Sequence, residues 1–110
     1  MTSLSTHVLD TMHGGPAQGV AVRLESADGV LLHAGQTNAD GRCPDLPATA
    51  PGRYRLGFAV ADYFRARGVD LPEVPFLDVV HIDFGVAQEG GHYHVPLLVS
   101  PYAYSTYRGS

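Results

Sequence analysis

Apolar and polar residues alternate with a period of two along most of this chain. Val20, Val22 and Leu24 alternate with Ala21, Arg23 and Glu25, and Tyr54, Leu56, Phe58 and Val60 alternate with Arg53, Arg55, Gly57 and Ala59. A period of two places one set of side chains on each face, so these segments predict half-buried β-strands. Near the start, Leu4, Thr6 and Val8 share one face while Ser5, His7 and Leu9 share the other. Asp28-Gly29, between Leu24-Glu25-Ser26 and Val30-Leu31-Leu32, predicts a two-residue hairpin turn whose positions both tolerate positive φ. Asn38-Ala39-Asp40-Gly41 predicts a second turn.

One stretch breaks the alternation. Ala61-Asp62-Tyr63-Phe64-Arg65-Ala66-Arg67 joins helix-forming residues, an early Asp, late arginines and a closing Gly68, which predicts a helix of about two turns. After a Pro-rich joint at Leu71 to Pro75, strands are expected at about Phe76–Val86, His92–Ser100 and Tyr102–Tyr107. Seven or eight short strands with one small helix make an all-β sandwich. No repeat, low-complexity tract or linker divides the chain, so residues 1–110 are expected to form a single domain.

Composition narrows the functional classes. A chain of 110 residues builds only a modest core, and covering more surface by oligomerisation is a natural remedy. The net charge is −4 and every positive side chain is one of seven arginines, with no basic run to suit nucleic acid or an anionic membrane. No apolar stretch is long enough to span a bilayer, and Met1-Thr2-Ser3-Leu4 lacks the features of a signal peptide. The lone Cys43 has no intrachain partner, which fits a reducing compartment. A cytoplasmic protein is expected.

Candidate chemistry centres on histidine. His13 reads as a loop residue, His33 as an exposed strand residue and His81 as a structural residue inside an apolar strand. His92 and His94 differ. Val95, Leu97 and Val99 form one face of their strand, so His92, His94, Pro96 and Leu98 share the other, with the two imidazoles about 7 Å apart. Histidines beside apolar residues on an outer face suit either a ligand site or a subunit interface. His-x-His also suits a metal, but the third ligand would have to come from elsewhere, with His7 one source.

The C-terminal run from His92 to Ser110, closing on Tyr107-Arg108-Gly109-Ser110, closely resembles the end of the 5-hydroxyisourate hydrolases, or transthyretin-related proteins. In that family the tetrapeptide separates hydrolases from hormone-carrying transthyretins. Leu4 to Thr11 resembles the family's first strand, and Thr37-Asn38-Ala39-Asp40-Gly41-Arg42 its arginine-bearing turn. The resemblance runs end to end, weakest over residues 72–91, where Asp78, His81 and Asp83 add polar groups to a strand expected to be more apolar.

The resemblance implies a prealbumin-like (transthyretin) sandwich of two four-stranded sheets, assembled as a homotetramer, a dimer of dimers around a central channel. It implies hydrolysis of 5-hydroxyisourate to 2-oxo-4-hydroxy-4-carboxy-5-ureidoimidazoline, with no metal or organic cofactor. On the family pattern His7, Arg42, His94 and Ser110 are catalytic, and His7, Arg42 and Tyr107 bind substrate. His92 and Arg108 stand behind them, Arg108 either touching substrate or binding the chain terminus. Imidazole titrates near neutrality and can activate water, while guanidinium is permanently charged and suits an oxyanion. Arg42 would also lower a neighbouring histidine's pKa and keep it neutral. Cys43, next to Arg42, is expected to pack rather than attack. The competing classes are a transthyretin-like carrier of small ligands and a His-x-His metal-dependent hydrolase.

Overall fold

The computed structural model describes residues 1–87 and 89–109. The alternating segments form β1 (Ser3–Ser5), β2 (Val8–Asp10), β3 (Gly15–Pro16), β4 (Ala21–Ser26), β5 (Leu31–Gln36) and β6 (Gly52–Ala59), then α1 (Val60–Ala66), β7 (Val79–Val86), β8 (His92–His94), β9 (Leu97–Ser100) and β10 (Ala103–Thr106). Two four-stranded sheets result, in the orders β10-β9-β2-β3 and β5-β4-β6-β7. The short parallel pair β1-β8 prolongs the first. Ser5 lies opposite His94 and Val8 opposite Leu97, so both pairs share one register and the break between them adds no residue. Pro96 lies in that gap and has no N–H to give the ladder.

The inner faces of the sheets meet in one core. Val8, Leu97 and Val99 from one sheet cluster with Val22, Leu24, Leu56, Phe58 and Val80 from the other. Each large side chain withdrawn from water there stabilises the fold by about 1.5–3 kcal/mol. Among the described residues no helix is long and apolar enough to cross a membrane.

Three local expectations need correction. The Asp28-Gly29 hairpin is longer than two residues: Ala27 to Val30 lie outside the strands, the register shifts at Leu24/Glu25, and only Gly29 takes positive φ. Ser26 drives this, because its hydroxyl donates to Asp28 and also accepts from the Val30 N–H. The strand expected from Phe76 begins at Val79, since the Asp78 carbonyl accepts from Val60 and Ala61 N–H and so caps α1. His81 is exposed, with Val80 and Ile82 turned to the core instead; its ring lies across Gly57, its partner in register. Asp83 on the same outer face meets Arg55 directly opposite, at 2.6 Å.

Candidate active site

Alternation in β1 and β2 turns Leu4, Thr6, Val8 and Asp10 inward, where all are buried, and leaves Ser3, Ser5, His7 and Leu9 on the outer face. The parallel register sets these beside outward residues of the neighbouring segment: Ser3 by His92, Ser5 by His94 and Leu9 by Leu98. Apart from Pro96, which is buried, the face expected from the pattern forms, with histidines toward one end and leucines toward the other.

Arg42 arrives from a different part of the chain. Asn38 Oδ1 accepts from the N–H groups of Asp40 and Arg42, and the Asn38 N–H donates to the Arg42 carbonyl at 2.8 Å, closing a tight turn. The buried Thr37 hydroxyl fastens the base of this turn by donating to the Ala17 carbonyl while accepting from Val20 N–H. Gly41 sits at φ +77°, and a Cβ there would lie 2.5 Å from the Val8 carbonyl oxygen. Only glycine lets the turn press against β2 so closely. Val8 N–H then donates to the Gly41 carbonyl at 2.7 Å, and Arg42 forms an antiparallel bridge with His7. Among the described residues, neither the His7 ring nor the Arg42 guanidinium has a hydrogen-bond or ion-pair partner.

The C-terminal segment closes the site. Antiparallel pairing of β10 with β9 continues beyond the strand, and Gly109 N–H donates to the His94 carbonyl at 2.8 Å. A Cβ on Gly109 would stand 2.5 Å from His94 Cδ2, so the imidazole lies directly against the glycine backbone. Arg108 turns the other way: its guanidinium lies 3.8 Å over the Tyr93 ring, on the side that packs toward the core. Tyr107 is exposed, and Ser110 lies outside the described residues.

His94 is half-buried, with Nδ1 2.7 Å from Ser5 Oγ. Its pKa is lowered, first by burial and then by the charge of Arg42, with His7 and His92 adding to the effect. The ring is thus held neutral at neutral pH. His92 is exposed, and both its ring nitrogens meet serine hydroxyls, Nδ1 with Ser3 at 2.6 Å and Nε2 with Ser5 at 2.7 Å. Among the described residues no three His, Cys, Asp or Glu side chains converge as a metal-binding set, so His7 does not complete a ligand group with the His-x-His pair. Cys43 is buried in the core, and burial followed by the charge of Asp45 raises its pKa, which suits packing rather than attack.

The parts missed from sequence are Ser3 and Ser5. Their parity with His7 was visible, but their meeting with His92 and His94 depends on a pairing across almost the whole chain.

A two-sheet sandwich with one short helix after its sixth strand, carrying His7, Arg42 and His94 on the outside of one sheet, defines a transthyretin-like protein of the prealbumin fold. Residues 4–109 match the model of the HIUase/Transthyretin family. The chain is 52% identical to the 5-hydroxyisourate hydrolase of Pseudomonas aeruginosa, over 100% of this chain and 93% of that one. Among solved structures, the 5-hydroxyisourate hydrolase of Klebsiella pneumoniae superposes with a TM-score of 0.86 at 37% identity, covering both chains completely. An (S)-allantoin synthase reaches 0.92 at 38% identity over 99% of this chain, which spans only 44% of that longer protein. The chain belongs to the HIUase/Transthyretin family, and it is a hydrolase.

Proposed function

We propose that this protein hydrolyses 5-hydroxyisourate, opening its six-membered ring to 2-oxo-4-hydroxy-4-carboxy-5-ureidoimidazoline. The observation that carries the proposal is the convergence of His7, Arg42 and His94 on one outer face, with burial and Arg42 holding His94 neutral. Neutral imidazole can take a proton from water, and the resulting hydroxide adds to the lactam carbonyl. The oxyanion that forms faces the Arg42 guanidinium, which has no partner among the described residues, a cation already in place before charge develops. The His94 imidazolium then returns its proton to the departing ring nitrogen, so the base is regenerated and water is consumed. His7 orients substrate and water.

Tyr107 supplies a hydroxyl to the bound heterocycle, and Ser110 is assigned to the catalytic set by its place in the closing tetrapeptide. His92 supports His94 from behind. Arg108 stacks on Tyr93, a structural contact other than the chain-terminus binding expected of it. The chemistry requires no metal or organic cofactor. A carrier of apolar ligands would have no use for an arginine beside a neutral histidine on this face.

The functional unit in this proposal is a homotetramer, a dimer of dimers that covers the histidine-bearing face and makes it a channel. Half-buried Leu9 and Leu98 beside the histidines support a covered face. Residues 1–110 act as one hydrolase domain in the cytoplasm, in keeping with a single buried thiol.

The test is direct. 5-Hydroxyisourate is generated from urate in situ, and its absorbance decay is followed with and without the protein. Faster decay is expected, and it should survive prolonged chelator treatment. Equal decay rates would sink the substrate assignment, whereas a chelator-sensitive rate restored by zinc would sink the metal-free mechanism.

A further inference from the structure

Four polar side chains run in file along the β1-β8 pair: Ser3, His92, Ser5 and His94, joined by contacts of 2.6, 2.7 and 2.7 Å. Their hydrogens can be assigned from one end. Ser3 Oγ lies 3.2 Å from the Gly91 carbonyl oxygen, which can only accept, and placing the Ser3 hydroxyl hydrogen there fixes the rest of the file. Ser3 Oγ must then accept from His92 Nδ1–H. A neutral His92 protonated at Nδ1 has its lone pair on Nε2, and that nitrogen accepts the hydrogen of Ser5. Ser5 has no second hydrogen, so its oxygen accepts from His94 Nδ1–H. His94 is left with a bare Nε2.

We propose that Ser5 and His92, anchored by Ser3, are positioning residues that lock His94 in its Nδ1–H tautomer and so keep Nε2 free as the base. The inference rests on the hydrolytic role given to His94 above, but the tautomer belongs to the resting protein and is measurable without substrate. A lone imidazole in water prefers its hydrogen on Nε2, which would present a donor where the reaction needs an acceptor. The serine between the two rings makes the choice one-way: its single hydrogen can go to one imidazole only. His92 therefore governs His94 without touching it.

The decisive measurement is nitrogen NMR of the histidine rings at neutral pH, made on wild type, Ser5→Ala, Ser5→Thr and His92→Phe. Wild-type His94 should show the Nδ1–H pattern. Ser5→Ala and His92→Phe should both move it towards Nε2–H, the second by freeing the Ser5 hydrogen for His94 Nδ1, and Ser5→Thr should restore it. With 5-hydroxyisourate, both altered variants should lose roughly 10- to 100-fold in kcat with KM within about twofold, since a wrongly placed ring hydrogen removes the base rather than the binding site. A wild-type His94 carrying its hydrogen on Nε2 would refute the proposal outright. So would a tautomer unmoved in Ser5→Ala and His92→Phe, even if kcat fell. Normal tautomer shifts in a protein that leaves 5-hydroxyisourate intact would instead condemn the substrate assignment alone.

Discussion

Gly109 shows how a short motif acquires its residue types. The His94 ring rests on its backbone, and the smallest possible side chain would come within 2.5 Å of the ring. Gly109→Ala should therefore swing the imidazole off its position. The expected outcome is a fall in kcat of about 100-fold, the worth of a general base, with thermal stability nearly unchanged. A variant of normal turnover would show that the ring position does not matter. Arg42 permits a second test at this scale. Its charge, after burial, helps to hold the His94 pKa below the ordinary imidazole value, so His94 stays a free base to lower pH than it otherwise would. In Arg42→Gln that contribution disappears, the His94 pKa rises, and the acid limb of kcat/KM should move to higher pH as the overall rate drops. A limb that stays in place, or moves down, would mean that another group controls it. His7, Arg42 and His94 were legible in the sequence as residue types, but the Ser5 link was not, because a serine alternating with leucine looks like any solvated strand position.

At the level of elements, the helix is fastened to the sheets by polar contacts that periodicity does not reveal. Tyr63 OH donates to Asp10 Oδ2 at 2.7 Å, and both His13 nitrogens that face Asp10, the backbone N–H and Nδ1, bond the same carboxylate. Arg67 completes the group by donating to the Tyr63 hydroxyl oxygen. Burial alone would raise the Asp10 pKa, but the hydrogen bonds from Tyr63 and His13 outweigh it and hold the carboxyl below its usual value. A depressed carboxyl contributes stability above its unfolded pKa and loses it as pH falls through the folded one. Tyr63→Phe should cost about 1.5–3 kcal/mol, the worth of a hydrogen bond to a charged group, and should raise the pH at which acid unfolds the protein. Denaturant titrations at neutral and acid pH would measure both; an unchanged midpoint would mean that the helix is held by Phe64 and Val60 alone. The extent of α1 was legible to within a residue, since Asp62, the late arginines and Gly68 are local signals. His13 lies in a turn, as expected, but its bonds to Asp10 were not legible, because that aspartate sits at the inward end of β2, a position expected to be apolar.

For the whole molecule, the two-sheet architecture followed from period-two patterning, whereas the order of strands did not, because side-chain parity says nothing about which strand lies beside which. The assembly proposed here makes its own demand. Leu98, half-buried beside Leu9 on the histidine-bearing face, should meet a neighbouring subunit. Leu98→Glu should split the assembly and lower activity together, as sedimentation and initial rates on the same samples would reveal. Full activity in a stable dissociated form would show that the channel is dispensable.

The parallel alignment of Ser3–Asp10 with His92–Val99 also governs when the protein can become active. Its partners are far apart in sequence, so a polypeptide emerging from the ribosome carries Val8 and Leu4 without their mates until residues 92–99 have followed. Such distant closure is intrinsically slow and leaves an adhesive strand waiting. His7 reaches the tunnel exit well before Arg42, and His94 and the glycine that supports it follow some fifty or more residues after that turn. The histidine-bearing face thus depends on joining two segments almost ninety residues apart.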